Sequence, residues 1–393
     1  MARLGDLIEQ IRGVSYKPED VHNSLDNESI ILLRANNIKD GKLNFDEVVF
    51  VGKEKVNEKQ ILKKGDILIC ASSGSKELVG KAAFVENDLP MTFGAFCKVA
   101  RPKKENKKYI GHFFNSPFYR EKISNSSAGA NINNIRNEHI DELQIEYPSL
   151  EEQEKISNIL DEVNEFISCR KEQLAKLDEL VKARFVEMFG DPVQNPMGWK
   201  IETLKKNTTK IGSGATPKGG KESYHTEGIT LIRSMNVHDG RFEYKDLAHI
   251  ADEQAKQLDN VTVEENDVFI NITGASVARS CIVPKCILPA RVNQHVAIVR
   301  CISSKLNPIF TNRMFLNKNF KDKLLDIGES GGATRQAITK QQLETLAVIL
   351  PPIELQNQFA AFVEQTEKTK AEVQKSLNEL EILKKSLMQK YFG

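Results

Sequence analysis

The residues of this chain able to do chemistry come in matched pairs, not as a catalytic cluster. Arg34 and Asn37 lie in Leu32-Leu33-Arg34-Ala35-Asn36-Asn37-Ile38-Lys39-Asp40-Gly41. Arg233 and Asn236 hold the same places in Leu231-Ile232-Arg233-Ser234-Met235-Asn236-Val237-His238-Asp239-Gly240. Arginine and asparagine are the side chains suited to bidentate contacts with guanine and adenine edges. The same residues also have a local use. An asparagine ahead of Asp-Gly satisfies backbone groups of a turn, and an arginine pairs with a neighbouring carboxylate. Small polar loops follow two apolar runs. Ser72, Ser73, Ser75 and Lys76 come after Ile67–Cys70, and Thr273 and Ser276 come after Val268–Asn271. Free N–H and hydroxyl groups on small residues let a backbone approach a phosphate closely. Asn36, Asn131, Asn271 and Arg335 complete the candidates. Lys103, Lys104, Lys107 and Lys108 form a basic run able to follow a phosphate backbone or simply to be solvated.

Catalytic patterns are missing from the sequence. The stretch Gly212-Ser213-Gly214-Ala215-Thr216-Pro217-Lys218-Gly219-Gly220-Lys221 has the composition of a phosphate-binding loop without its spacing, and reads as a flexible turn or a DNA-facing loop. Ser73-Gly74-Ser75-Lys76 fits S-x-x-K but has no companion motif. The seven histidines are scattered, and the six cysteines show no CxxC pair, so neither a metal centre nor a disulfide framework is expected. The chain reads as a binding protein and not as an enzyme.

What positions these residues is a tandem duplication. The segment Pro148–Gly190 recurs as Pro351–Gly393 at a constant offset without gaps. Gln153 matches Gln356, Leu174 matches Leu377, Leu177 matches Leu380, and Phe189-Gly190 matches Phe392-Gly393. Each copy carries apolar residues in alternating steps of three and four. They are Leu160, Val163, Ile167, Leu174 and Leu177 in the first, and Phe359, Val363, Leu377, Leu380 and Leu387 in the second. That is coiled-coil spacing, and about forty helical residues span roughly 60 Å. Four parts follow: a domain over 1–148, a long helix over 149–190, a second domain over 191–350 and a second long helix over 351–393. Short β-like runs separated by turn signals, such as Asp40-Gly41 and Gly65-Asp66, make each domain α+β with a mostly β core. The expected architecture is two such domains separated by two antiparallel helices, related by a pseudo-twofold axis. The outer helix faces are then open to two copies of one partner. Gly190 through Trp199, with Pro192 and Pro196, is the linker into the second half.

The 393 residues suffice for two domains, and the net charge of +1 argues against a uniformly basic surface while allowing local basic faces. The first residues lack the apolar run of a signal peptide and no stretch matches a membrane span, so the expected compartment is the cytoplasm.

The chain resembles the specificity subunits of type I restriction-modification systems. Each long helix opens on a similar motif, Tyr147-Pro148-Ser149-Leu150-Glu151-Glu152-Gln153 and Leu350-Pro351-Pro352-Ile353-Glu354-Leu355-Gln356. Ile211-Gly212-Ser213-Gly214-Ala215-Thr216-Pro217 and Gly65-Asp66-Ile67-Leu68-Ile69 add to the likeness. Tyr147 stands where the family has Leu, and Leu355 where it has Glu. The resemblance implies a non-catalytic subunit with two target recognition domains, each reading one half of a split double-stranded DNA sequence. It implies that the helices set the spacer and dock two modification (methyltransferase) subunits, joined by restriction subunits that translocate and cleave. S-adenosylmethionine, ATP and Mg are expected on those partners and none on this chain. Half-sites roughly one helical turn apart, about 34–36 Å, suit such paired readers. A second reading of the duplication is a tandem scaffold that binds protein or carbohydrate and dimerises through its helices.

Overall fold

A computed structural model describes residues 1–103, 106–126, 133–216, 220, 224–329 and 336–393. The chain forms two compact units. The first takes Met1–Lys171 with Gln374–Gly393, and the second takes Glu172–Val373. Two helices dominate by length, a central one over Leu150–Phe189 and a distal one over Ile353–Phe392, each of 40 residues. Each unit therefore owns a globular domain, a part of the central helix and a part of the distal helix.

In the first unit, four antiparallel strands run in the order Ala82–Phe84, Ile67–Cys70, Cys97–Pro102, Ile8–Arg12. A second sheet runs Met91–Phe93, Ser29–Leu33, Val49–Gly52, Val21–His22, with its first pair parallel. The second unit repeats the plan. One sheet is Ser280–Ile282, Val268–Asn271, Val296–Cys301, Thr208–Ser213. The other is Ala290–Val292, Ile229–Ile232, Ala248–Ile250, again with a parallel first pair, and an isolated bridge from His225 to His249 stands where the first unit has a fourth strand. The apolar runs Ile67–Cys70 and Val268–Asn271 are buried throughout, as strands covered on both faces must be. Short ribbons bring each domain's ends together: Ala2–Arg3 pairs with Gln144–Ile145, and Lys200–Thr203 pairs with Ala347–Leu350.

Several features recur in both units and explain the duplicated motifs. Asp66 of Gly65-Asp66 is buried and receives two bonds from Arg101, from Nε at 2.7 Å and Nη2 at 2.8 Å. Asp267 receives the same pair from Arg300 at 2.8 and 2.9 Å. Each arginine also donates to a loop carbonyl, Ile61 O or Thr262 O. Such bidentate pairs fix geometry as well as charge. Gly13 and Gly214 are close-approach points: a Cβ would meet the Gly94 carbonyl oxygen at 2.1 Å or that of Val292 at 1.7 Å. The expected loop around Gly214 is thus partly strand, since Thr208–Ser213 pairs with Val296–Cys301; residues 217–219 and 221–223 of that stretch lie outside the described residues.

The helix motif is a clasp. Gln153 and Gln356 are wholly buried and donate to Pro148 O at 3.0 Å and Pro351 O at 2.8 Å. Gln356 further accepts from Asn307 N, which opens the helix Pro308–Leu316. At their other ends the helices deliver phenylalanines. Phe189 packs in the second unit on Phe310 at 4.7 Å and Phe359 at 5.4 Å between ring centres. Phe392 packs in the first unit on Tyr109 at 5.1 Å and Phe113 at 6.0 Å. Gly190 ends the central helix with φ +72°, and a Cβ there would strike Pro196 at 2.7 Å. Trp199 anchors the linker by donating from Nε1 to Phe189 O at 2.9 Å.

The heptad-like stripe is spent inside the chain. Leu160 joins the first unit's core with Met388 and Phe392, while Phe359 and Val363 join the second unit's core with Phe185 and Phe189. Val163, Ile167 and Leu377 are also buried. Leu174, Leu177, Leu380 and Leu387 are half-buried. Within each unit the helix segments run antiparallel. Arg170 and Lys171 meet Ser376 and Glu381 in the first, and Asp178 meets Lys370 in the second at 2.6 Å. The buried members of this stripe serve the pairing of helix segments and the domain cores, because an amphipathic helix first covers its own domain's apolar surface.

Two helices, Lys107–Phe113 and Pro117–Ser126, follow the basic run, because Pro117 prevents the first from continuing.

Candidate nucleic-acid interface

A chain of backbone bonds gathers the candidate residues at one end of each domain. In the first unit Gly94 N donates to Leu33 O, next to Arg34, at 2.9 Å. The turn Gly94–Cys97 then offers the Phe96 carbonyl to Ala71 N at 2.8 Å and Ser72 N at 3.0 Å. Ser72 and Ser73 pair with Asn134 and Asn133. The second unit repeats this frame. Asn293 N bonds Ile232 O at 3.0 Å, Ile272 N bonds His295 O at 3.0 Å, and Thr273 bridges to Ala337. The opposite end of the strand Ile67–Cys70 faces the helix Lys107–Phe113, since a Cβ on Gly65 would touch Lys107. Lys108 of that helix bonds Asp161 of the central helix at 2.5 Å. One end of the domain thus serves the long helix, and the other carries the loops.

Three of the candidate asparagines are turned inward. Asn37 is buried; its Oδ1 accepts from Arg34 N at 2.8 Å and its Nδ2 donates to Asn44 O at 2.8 Å and Glu47 O at 3.0 Å. Asn236 is its copy, accepting from Arg233 N and donating to Glu243 O and Lys245 O. Asn271 is buried and donates to Ser234 O at 2.9 Å. The amides of Asn37 and Asn236 are committed to holding the Arg34 and Arg233 turns in place, and Asn271 is buried beneath the second of these turns, so none of the three presents an edge to a base. This corrects the assignment of Asn37, Asn236 and Asn271 as contact residues. The turn chemistry wins because buried backbone donors and acceptors must be paired.

The remaining candidates stay near the surface. Asn36, Ser75 and Lys76 are exposed, while Arg34, Ser72, Ser73, Arg233, Thr273 and Ser276 are half-buried. Arg34 and Arg233 each keep a buried Nε without a partner. Arg233 also lies over the Tyr224 ring at 5.4 Å and donates to Asp246 O. Asn131 and Arg335 lie outside the described residues. The basic run is turned elsewhere. Lys103 bonds Gly5 O and Asp6 O, Lys107 bonds Lys64 O, and Lys108 bonds Asp161, so these three lie on the helix side; Lys104 is not among the described residues.

Three residues at the loop end escaped the sequence reading. Phe96 is 70% exposed on a turn whose backbone is bonded on both sides. At the matching position in the second unit, His295 has Nδ1 2.5 Å from Thr273 Oγ1 and Nε2 3.0 Å from Gln294 Nε2. Thr216 Oγ1 in turn bonds Gln294 Oε1. The available signal was a mismatch: Gly94-Ala95-Phe96 against Asn293-Gln294-His295, inside halves that otherwise align.

The helices also carry exposed apolar side chains. Phe166 is 56% exposed and Ile382 69%, and the equivalent repeat positions Leu180 and Leu383 are exposed at 48% and 45%. No described helix is long and apolar enough to cross a membrane.

Comparison with known proteins gives a consistent picture. A family model for the type I restriction modification DNA specificity domain matches residues 1–179 and again 198–382. The StySPI type I restriction enzyme specificity subunit of Salmonella potsdam is 30% identical over 97% of this chain and 86% of its own length. The EcoKI specificity subunit of Escherichia coli K12 is 28% identical over 90% of this chain and 79% of its own. Among solved structures, the S subunit of a type I system from M. genitalium shares the fold, with a TM-score of 0.59 at 14% identity, covering 100% of this chain and 95% of that one.

Proposed function

The chain belongs to the family of type I restriction-modification specificity subunits, and on that premise we propose that its two domains read the two unlike halves of one gapped DNA target. The chain is a non-catalytic DNA-recognition subunit that acts with methyltransferase and restriction subunits. The observation that carries the finer reading is the duplicated loop end. One backbone frame in each domain holds an arginine turn, a small polar loop and a four-residue turn, while the side chains on the last differ between halves. A common frame with unlike side chains suits unlike half-sites on an asymmetric duplex.

In this reading the exposed helix side chains Phe166, Leu180, Ile382 and Leu383 are where two methyltransferase copies dock, one to each pair of helix segments. Those partners bring S-adenosylmethionine, and the restriction subunits bring ATP and Mg; the chemistry is theirs, in the cytoplasm. This chain supplies position. Its near-neutral charge means the partners complete the electrostatic grip on DNA. Binding by the isolated chain is then weak and steeply salt-dependent, and specific binding needs the methyltransferase.

The test is methylome sequencing of a host expressing this chain with its methyltransferase. A gapped adenine-methylated motif is expected. Exchanging residues 1–148 for those of another family member is expected to change one half of that motif and spare the other. Alteration of both halves would overturn the assignment of one domain to one half-site.

A further inference from the structure

We propose that Phe96 is a specificity-determining residue of the first domain, reading the 5-methyl group of a thymine in its half-site. This rests on the reading of the loop ends as the DNA-facing surface. Phe96 is 70% exposed, although burial is the rule for phenylalanine. The exposure is not that of a loose loop. The Gly94–Cys97 turn is closed by Cys97 N to Gly94 O at 2.8 Å, and the Phe96 carbonyl takes two N–H groups from Ala71 and Ser72. The ring is thus held out by a fixed backbone, on a turn bonded to the start of the small polar loop at Ala71 and Ser72.

A phenyl ring has no donor or acceptor for base edges. The one group of the major groove that it can recognise is apolar, the thymine methyl. The second unit isolates this difference. At the same place in the same frame stand Gln294 and His295, tied to Thr216 and Thr273, a polar set with no surface for a methyl group. The two half-sites therefore differ in chemistry at this position: an apolar contact in the first, a hydrogen-bonding one in the second.

The experiment uses the assembled complex of this chain with its methyltransferase and duplexes carrying the motif found by methylome sequencing. Each thymine of the half-site assigned to residues 1–148 is replaced in turn by deoxyuridine, which lacks only the methyl. Affinity is expected to fall about 5- to 10-fold at one position, the size of a lost base contact. The variant Phe96→Ala is expected to bind the thymine and uracil duplexes equally, while His295→Ala keeps the wild-type ratio. Equal binding of every uracil duplex by the wild type would overturn the proposal. A Phe96→Ala variant that loses affinity but retains the thymine preference would overturn it in favour of an unstacking wedge. Phe96→Leu, which keeps an apolar side chain, separates these outcomes from a folding defect: it is expected to retain part of the thymine preference. Absence of any gapped motif would instead count against the proposed function itself.

Discussion

The two units are built on one plan, and the places where they differ separate scaffold from function. The Asp66–Arg101 pair matches Asp267–Arg300, Gln153 matches Gln356, and Phe392 in the first unit matches Phe189 in the second. These are all buried or partly buried and serve the fold. Among the described residues, differences in side-chain chemistry stand out at the helix seam, in the sheet and at the loop end. At the helix seam the first unit uses His112 and Lys108 on Asp161, whereas the second uses Arg313 and Lys370 on Glu367. In the sheet, Lys98 is 7% exposed where the second unit has the core residue Ala297. At the loop end, Phe96 of the first unit has His295 as its counterpart in the second. The duplicated frame tolerates such changes because side-chain chemistry varies on a backbone whose own hydrogen bonds are fixed.

Lys98 places a lysine in a buried site. Among the described residues its ammonium donates to two neutral amides, Gln10 Oε1 at 3.0 Å and Asn137 Oδ1 at 2.8 Å. Burial pushes its pKa down to about 8, against the opposing pull of Asp141 and Glu138. Asp161 shows the reverse balance. Burial pushes its carboxyl up, but the hydrogen bonds from His112 and Lys108 outweigh that and hold it below the usual carboxylate range.

The comparison can be broken most severely at the helix ends. Phe392→Ala is expected to destabilise the first unit by about 3–5 kcal/mol and leave the second untouched, and Phe189→Ala the converse. Hydrogen exchange followed separately over residues 67–70 and 268–271 checks this; equal loss of protection in both strands from either variant would deny the units their separate cores. The next effect is the pH dependence of the first unit alone. Between pH 8 and pH 10.5 the unfolded chain holds the Lys98 proton and the folded unit does not. Stability therefore rises across that window by about 3 kcal/mol. Denaturation curves at pH 7.5 and 10 are expected to lose this gain in Lys98→Met; an unchanged slope would show that the lysine is charged in the fold.

Smaller effects sharpen the assignment of scaffold and reader. Asn37→Ala and Asn236→Ala are each expected to cost about 1–3 kcal/mol, as buried partners lose their hydrogen bonds, without changing the methylated motif. A changed base in that motif would return these asparagines to the reading surface. Leu180→Glu and Leu383→Glu should shift stability by no more than about 0.5 kcal/mol, being exposed. Each is expected to weaken methyltransferase binding by more than tenfold in calorimetry; full affinity would place the docking face elsewhere on the helices.

Much of the scaffold was legible from residues alone. A short apolar run bounded by turn signals located Ile67–Cys70, and the gapless repeat located both long helices, because a heptad-like stripe and a closing glycine are local signals. The loop ends were only half legible. Arg34 and the serine loop were singled out by type, but type did not reveal that Asn37, Asn236 and Asn271 face inward, since their partners are backbone groups supplied by the fold. Phe96 went unnoticed because phenylalanine in a β-rich segment reads as core.

The sequence by itself determined the duplication, the two helices and the membership of each half in one domain type, since these rest on repeated local patterns. Only the tertiary structure decided which polar residues are spent on the backbone and which reach solvent. Only it showed that the chain's last phenylalanine completes the core of its first domain. Burial and pairing depend on contacts between residues far apart in the chain, and no local pattern encodes those.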